Sequence, residues 1–157
     1  MSIASEIKIH MDKSMNTFEH VIDNLKDEDL NVRINEGEKG WTVIELLRHI
    51  QNSERGMTTN LKSIINKGEG TSTEFDLQKY NHTSNEKMKD LGLSDIKENM
   101  KKYRKITLEL LKLVKEEDWE KEGRHPSQGT YSVKRHFEII SWHQYHHLKG
   151  IKTKLNL

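Results

Sequence analysis

The chain has 157 residues, a length that suits one domain covering 1–157, and its 26 basic and 25 acidic side chains leave a net charge of +1. No basic stripe supports nucleic-acid binding, no apolar run reaches membrane-spanning length, and the start lacks a secretion signal, so we expect a cytoplasmic protein. Cysteine is absent, which excludes disulfides, thiolate metal ligands and a cysteine nucleophile.

Two amphipathic helices are predicted in the first half of the chain, because apolar residues recur there every three or four positions. The first runs roughly from Ser2 to Leu25. The second begins after Thr42, which is a suitable N-cap and can form a capping box with Glu45 three residues later. Glycines at 68 and 70 end this second helix.

Two further helices are predicted in the second half, after a polar stretch over 70–92 that indicates mainly a long loop. Ser94 can cap the third helix, whose apolar face includes Ile96 and Leu110. Ser132 can cap the fourth, whose apolar face includes Phe137 and Leu148. Because the single proline is Pro126, long helices are permitted almost everywhere else.

A faint internal repeat relates the two halves. LKDEDL (25–30) ends the first predicted helix and VKEEDW (114–119) ends the third; GWTV (40–43) and TYSV (130–133) then begin the second and fourth. This pattern predicts an all-α fold, a four-helix bundle built from two pseudo-repeated helical hairpins. The alternative is that acidic helix ends and aromatic residues beside Thr or Ser recur by chance.

Three histidines lie within five residues near the end of the chain, in SWHQYHHL (141–148). Residues four apart share one face of a helix, so His143 and His147 can bind one divalent ion through neutral imidazoles. His146 points elsewhere and is a weaker ligand candidate. His136 shares their face but lies about 10 Å along the axis, where it could line a cavity. Pairs with this spacing also occur on helix surfaces with no ion.

A third ligand must come from elsewhere, because two leave an ion poorly held. His49, in the second predicted helix, is the best placed of the candidates, although an exposed helix histidine is the alternative interpretation. The candidates are His10, His20, His49, His82, His125 and carboxylates such as Glu54.

Three segments resemble the DinB/YfiT-like superfamily of four-helix bundles: GWTVIELLRHIQNSE (40–54), RHPSQGTYSV (124–133) and ISWHQYHHLKGI (140–151). The sequence of these segments is most similar to the YfiT-like branch, which includes bacillithiol S-transferases and proteins named metal-dependent hydrolases. The resemblance implies that His49, His143 and His147 bind a divalent metal ion, with nickel and zinc as the expected metals. Some relatives carry a further histidine where this chain has Glu54, which leaves the subfamily and substrate open.

Three neutral imidazoles leave coordination positions open, which is typical of catalytic metal sites. An open position can activate water or a thiol, so the predicted function is that of a metal-dependent S-transferase or hydrolase. The resemblance favours thiol transfer; the expected partners are a low-molecular-weight thiol and a small electrophilic substrate. The alternative is a non-catalytic helical bundle that binds metal or takes part in a stress response. The third hypothesis is a helical bundle that only binds other proteins and whose histidines bind no metal.

The supporting residues are less specific. Glu54 can act as a general base or as an acceptor behind the metal ligands, or it is an ordinary surface carboxylate. His125, in the loop that enters the fourth helix, can reach the mouth of the site or have no role. The sequence also permits a homodimer, formed through a helix face that includes Trp142 or Trp41.

Overall fold

The structure is a computed structural model and describes residues 1–34 and 40–157. Within these ranges the chain forms five α-helices and one two-stranded antiparallel ladder, and none of these helices has an apolar stretch that would cross a lipid bilayer. The elements are α1 (Ile3–Asn24), α2 (Val43–Lys67), α3 (Leu77–Lys87), α4 (Leu93–Leu113), β1 (Glu122–Arg124), β2 (Thr130–Ser132) and α5 (Val133–Leu155). The all-α bundle fold is confirmed, with α1, α2, α4 and α5 as its four long helices.

The N-caps expected for α2 and α5 are present. The hydroxyl of Thr42 accepts a hydrogen bond from the N–H of Glu45, and that of Ser132 accepts one from the N–H of Arg135. The capping box at Thr42 differs in detail, because the Glu45 carboxylate accepts from the Thr42 hydroxyl at 2.9 Å. Gly68 ends α2 in the left-handed conformation, at φ 70°, which glycine adopts at little cost.

Two predictions about the middle of the chain are wrong. The stretch over 70–92 contains α3, capped by the side chain of Asp76, rather than mainly a loop. This helix escaped detection because only Asn85 is buried in it, so it has no apolar stripe. In addition, α4 is capped by Gly92 and not by Ser94, and the Asp95 carboxylate accepts a hydrogen bond from the Gly92 N–H at 3.1 Å.

The connections after α1 and α4 repeat each other, as the sequence predicts. Each helix is followed by a short 3-10 turn whose last residue is an aspartate, Asp29 or Asp118. In both turns the aspartate side chain accepts a hydrogen bond from the backbone N–H three residues before it, at 2.8 Å for Asp29 and 3.0 Å for Asp118. An antiparallel bridge between Arg33 and Thr42 then leads into α2, and the β1–β2 ladder leads into α5. The ladder was not predicted from the sequence, because each of its strands has only three residues.

Each long helix packs mainly against helices of the other repeat: α1 against α5, and α2 against α4 and α5. The buried apolar residues form two clusters, one toward each end of the bundle. The first joins the C-terminal turns of α1 and α5 to the N-terminal turns of α2 and α4. Its buried helix residues are Phe18, Val21, Ile22, Val43, Leu46, Leu47, Ile50, Ile96, Met100, Leu148 and Ile151. The packing of α2 against α5 brings their histidines together.

Candidate metal centre

Three imidazoles from two distant segments converge between α2 and α5. The Nε2 atoms of His49 and His143 lie 3.2 Å apart, and those of His143 and His147 lie 3.1 Å apart. One nitrogen from each of the three rings lies within 4.8 Å of the corresponding atoms of the others. The structure therefore brings together the three residues that the resemblance implied, although His49 lies 94 positions before His143 in the chain.

Contacts beside the histidines hold α2 and α5 in position. The ring of His49 lies 4.7 Å from the ring of Trp41, centroid to centroid, just before the start of α2. On α5, the side chain of Gln144 donates a hydrogen bond to the carbonyl of Ile50 on α2 at 3.1 Å. Because Gln144 follows His143 directly, this bond holds the relative position of α5 and α2 beside the ligand pair.

Burial favours the neutral form of the three rings. It lowers the pKa of His143 to about 3 and that of His147 to about 4, in each case with a smaller effect from a neighbouring histidine. Burial also lowers the pKa of His49 well below its ordinary value, and the charges of the other two rings act in the same direction. A neutral imidazole has a free lone pair, which a metal ligand requires.

The donor set fits a divalent cation better than it fits hydrogen bonding alone. The Nε2 atom of His143 faces the Nε2 atoms of both neighbours. In a neutral ring this atom carries either one proton or one lone pair, so it cannot form a full hydrogen bond with both neighbours. In a tetrahedral zinc site with Zn–N bonds of about 2.0–2.1 Å, donor atoms lie about 3.3 Å apart. The two Nε2–Nε2 distances of 3.2 and 3.1 Å are close to that separation.

The three histidines line a cavity of about 990 Å³, large enough for two small substrates. Its wall comes from α2, α5, the segment that includes α3, and the β1–β2 connection. Five aromatic side chains contribute to the lining: Trp41, Phe75, Tyr80, Tyr131 and Trp142. The histidines therefore meet the cavity on a side where a ligand can approach them.

The other candidate histidines have different surroundings. His125 and the exposed His82 line the same cavity. His136 is buried and donates a hydrogen bond from Nε2 to the carbonyl of Gly123 at 3.0 Å. His146 is exposed and stacks on Trp142, with ring centroids 5.1 Å apart. His10 and His20 lie on the exposed face of α1.

Glu54 requires a correction, because it is neither a surface carboxylate nor a free general base. Its side chain is completely buried, and one oxygen accepts from the Nε of Arg104 and the hydroxyl of Thr107, both at 2.8 Å. The other oxygen accepts from Gln144 at 2.9 Å and from Arg104 at 3.2 Å. With both oxygens engaged, this carboxylate has a structural role that joins α2, α4 and α5.

The wall formed around α3 is the part of the site that the sequence analysis missed. Phe75 and Tyr80 form an aromatic pair with ring centroids 5.4 Å apart, and both line the cavity. Tyr80 accepts a hydrogen bond from Asn52 of α2 at 3.4 Å, while the carbonyl of Phe75 accepts one from Gln128 at 2.9 Å. Asp76, a suitable N-cap, was the one local signal of this helix.

The sequence profile of the DinB superfamily matches residues 10–151 of the chain. The chain belongs to the DinB superfamily. Two curated proteins from Oceanobacillus iheyensis, both named putative metal-dependent hydrolase, are similar to this chain in sequence. One is 27% identical over 134 residues, covering 85% of this chain and 74% of its own; the other is 26% identical over 144 residues, covering 90% and 79%.

Solved structures share the fold of this DinB superfamily member at low sequence identity. A mycothiol-dependent maleylpyruvate isomerase superposes with a TM-score of 0.79 at 12% identity, over 96% of this chain and 61% of the isomerase. YfiT from Bacillus subtilis, described as a probable metal-dependent hydrolase with an unusual four-helix bundle topology, gives 0.76 at 12% identity. That match covers 98% of this chain and 87% of YfiT. The chain thus spans less than two thirds of the isomerase.

Proposed function

We propose that this protein is a metal-dependent enzyme in which His49, His143 and His147 hold one divalent ion, nickel or zinc. The ion activates a low-molecular-weight thiol for transfer to a small electrophile. One observation carries the proposal: three neutral imidazoles converge within 4.8 Å at the wall of a cavity of about 990 Å³. When bound, such an ion would lower the pKa of a thiol or water molecule in its open position.

The residues of the chain supply the remaining requirements. The three imidazoles carry no charge, so the full charge of the ion would act on the ligand. Trp41 packs against His49 and Gln144 holds α5 against α2, so the ligand nitrogens are held in place before an ion binds. Since the chain has no cysteine, the sulfur atom must come from a cosubstrate.

Hydrolysis is the second candidate, because both curated relatives are named metal-dependent hydrolases. The same site would then activate water instead of a thiol. The thiol hypothesis is supported by the volume of the cavity, which can accept a thiol and an electrophile together, and by the mycothiol dependence of the isomerase that shares the fold.

The metal site is tested by elemental analysis of the purified protein and of a His147→Ala variant. We expect about one nickel or zinc ion per chain, and at least a tenfold loss of metal affinity in the variant, because removal of one of three ligands leaves two. His146→Ala is the matched control: His146 is the neighbouring histidine of α5, exposed and stacked on Trp142. Equal metal affinity in both variants would contradict the assignment of His147.

Catalysis is tested separately from metal binding. Metal-loaded protein is incubated with small thiols and an electrophilic arene, and in parallel with an activated ester, and substrate consumption is measured. Turnover that chelator abolishes and metal restores supports the enzyme, and the substrate consumed distinguishes transfer from hydrolysis. If chelator lowers the melting temperature but no substrate is consumed, the non-catalytic metal-binding or stress-related bundle is the better account.

A further inference from the structure

An exposed tryptophan lies in the wall of the cavity. Trp142 of α5 has 62% of its surface exposed, and it lines the cavity together with the three proposed metal ligands. The four other aromatic residues of the lining are half-buried. Large apolar side chains favour burial, so a ligand in the cavity can cover apolar surface of Trp142 that the protein leaves open to water.

The position of Trp142 on α5 places it on the face that meets the cavity. Arg135, Ile139 and Trp142 are spaced four and three residues apart, so they share one face of the helix, and all three line the cavity. His143, a proposed metal ligand, follows Trp142 directly. The exposed indole and the proposed ion site are therefore neighbours in the same cavity wall.

The indole ring of Trp142 is held by a second ring. His146 lies one turn further along α5 and stacks on it, with ring centroids 5.1 Å apart and ring planes inclined by 13°. This contact restricts the conformations of the indole before a ligand arrives. Since less side-chain freedom is then lost on binding, the entropic cost of binding to Trp142 is lower.

The other aromatic rings of the lining are also held by ring contacts. The pairs are Trp41 with His49, Phe75 with Tyr80, and Tyr131 with His125, at centroid distances of 4.7, 5.4 and 6.0 Å. Aromatic rings attract one another in offset-stacked or edge-to-face arrangements, beyond the effect of the area they bury. A wall of this kind favours a ligand with an aromatic ring over a saturated ligand of the same size.

Charge argues against another class of ligand that aromatic rings bind. Cations bind to the faces of Trp and Tyr rings, but Arg135 and Lys79 line this cavity, and the proposed ion would add positive charge. Asp76 is the one acidic residue of the lining within the described chain, and its carboxylate accepts from the N–H of Lys79 to cap α3. The wall therefore favours a neutral or anionic aromatic group.

We propose that Trp142 is a specificity-determining residue that binds the aromatic ring of the substrate, so the substrate class is small electrophiles that carry an aromatic ring. The indole, held by His146, packs against that ring beside the three proposed metal ligands. This inference rests on the proposed function, in that it takes the cavity to be the substrate site. It does not depend on the identity of the metal or on whether a thiol or water attacks.

The test compares two neutral ligands with one skeleton, naphthalene-2-carboxamide and its saturated counterpart, decahydronaphthalene-2-carboxamide. Binding is measured by calorimetry in the presence of chelator and is repeated with zinc-loaded protein. We expect the aromatic amide to bind about fivefold more tightly than the saturated amide in both conditions.

Two variants separate the aromatic ring of Trp142 from its apolar bulk. Trp142→Leu keeps an apolar side chain without a ring and should lose most of the preference for the aromatic amide. Trp142→Phe keeps a ring and should retain part of the preference. Tyr145→Leu is the matched control, because Tyr145 is a half-buried aromatic residue of α5 whose ring lies against Lys13, 5.1 Å from its Nζ, outside the cavity lining. It should behave as the unchanged protein.

The indole N–H signals in an NMR spectrum provide a second measurement, because the chain has only three tryptophans. The signal of Trp142 is assigned by its loss in Trp142→Leu. It should shift when the aromatic amide binds, and much less when the saturated amide binds. Trp119, which is 5% exposed and packs in the core, should not shift with either ligand.

The outcomes distinguish this proposal from the proposed function. An unchanged preference in a folded Trp142→Leu protein overturns it, as does equal affinity for the two amides or the absence of binding to the unchanged protein. A Trp142 signal that shifts when the ligand-free protein is diluted would show that a second copy covers the indole, which also overturns it. If the protein binds no metal and turns over no thiol or ester, yet the preference depends on Trp142, the proposed function fails and the aromatic site stands.

Discussion

At the scale of single residues, we expect the lowered pKa values of His49, His143 and His147 to make the metal-free protein sensitive to acid. In the unfolded chain these imidazoles take up protons near pH 6.5, whereas in the folded chain His143 and His147 do so near pH 3 and 4. Between pH 6.5 and about 4 the unfolded state therefore binds more protons. Stability rises with pH in that window and falls on acidification through it.

We expect the free energy of unfolding in urea, measured with chelator present, to be lower at pH 5 than at pH 7.5. A His143→Gln variant lacks one of the titrating groups, so its decrease between the two pH values should be smaller. Each protein is compared with itself at the two pH values, which removes any constant effect of the substitution. The same decrease in both proteins would show that His143 does not contribute to the pH dependence.

At the scale of the helices, one buried ionic network joins all four long elements. Glu54 of α2 accepts from Arg104 and Thr107 of α4 and from Gln144 of α5, and Arg104 also donates to the hydroxyl of Ser14 on α1 at 3.1 Å. Since α2 and α5 carry the three histidines, this network sets the relative position of the proposed ligands.

Glu54→Gln should lower the free energy of unfolding by about 3–5 kcal/mol, because it leaves the buried guanidinium of Arg104 without its counter-charge. The control is Glu138→Gln, which removes a partly exposed partner of Arg135 and Lys134 and should change stability by less than about 1 kcal/mol. A double variant, Glu54→Gln with Arg104→Met, should be more stable than Glu54→Gln alone. Equal stability of the two single variants in urea would contradict the structural role of Glu54.

At the scale of the whole molecule, a bound ion would link α2 to α5 and stabilise the bundle. An ion at 100 times its dissociation constant adds about 2.7 kcal/mol, which for a chain of this length raises the melting temperature by roughly 5–10 °C. The increase is measured by circular dichroism with and without zinc or nickel. His147→Ala should show little increase and His146→Ala the full one; the full increase in both would place the stabilising ion elsewhere.

The long helices and their ends were predictable because the information for them is local. Apolar residues at spacings of three and four define the buried faces of α1, α2, α4 and α5. Thr42, Gly68 and Ser132 mark helix ends through hydrogen bonds or backbone angles within a few residues. By contrast, α3 has no buried stripe and is held by distant contacts, such as the hydrogen bond from Asn85 to the carbonyl of Glu45 at 3.1 Å.

The residues of the candidate site were likewise only partly predictable from local sequence. The spacing of His143 and His147 pointed to a ligand pair, and similarity to a known family supplied His49. By itself the sequence thus determined four amphipathic helices, the N-caps of α2 and α5 and one pair of histidines, because these depend on neighbours three or four residues apart. Only the tertiary structure decided that His49 joins that pair, that Glu54 is buried in an ion pair and that His125 lines the cavity. Each of these depends on how α2, α4, α5 and the β1–β2 turn pack, which no local spacing encodes.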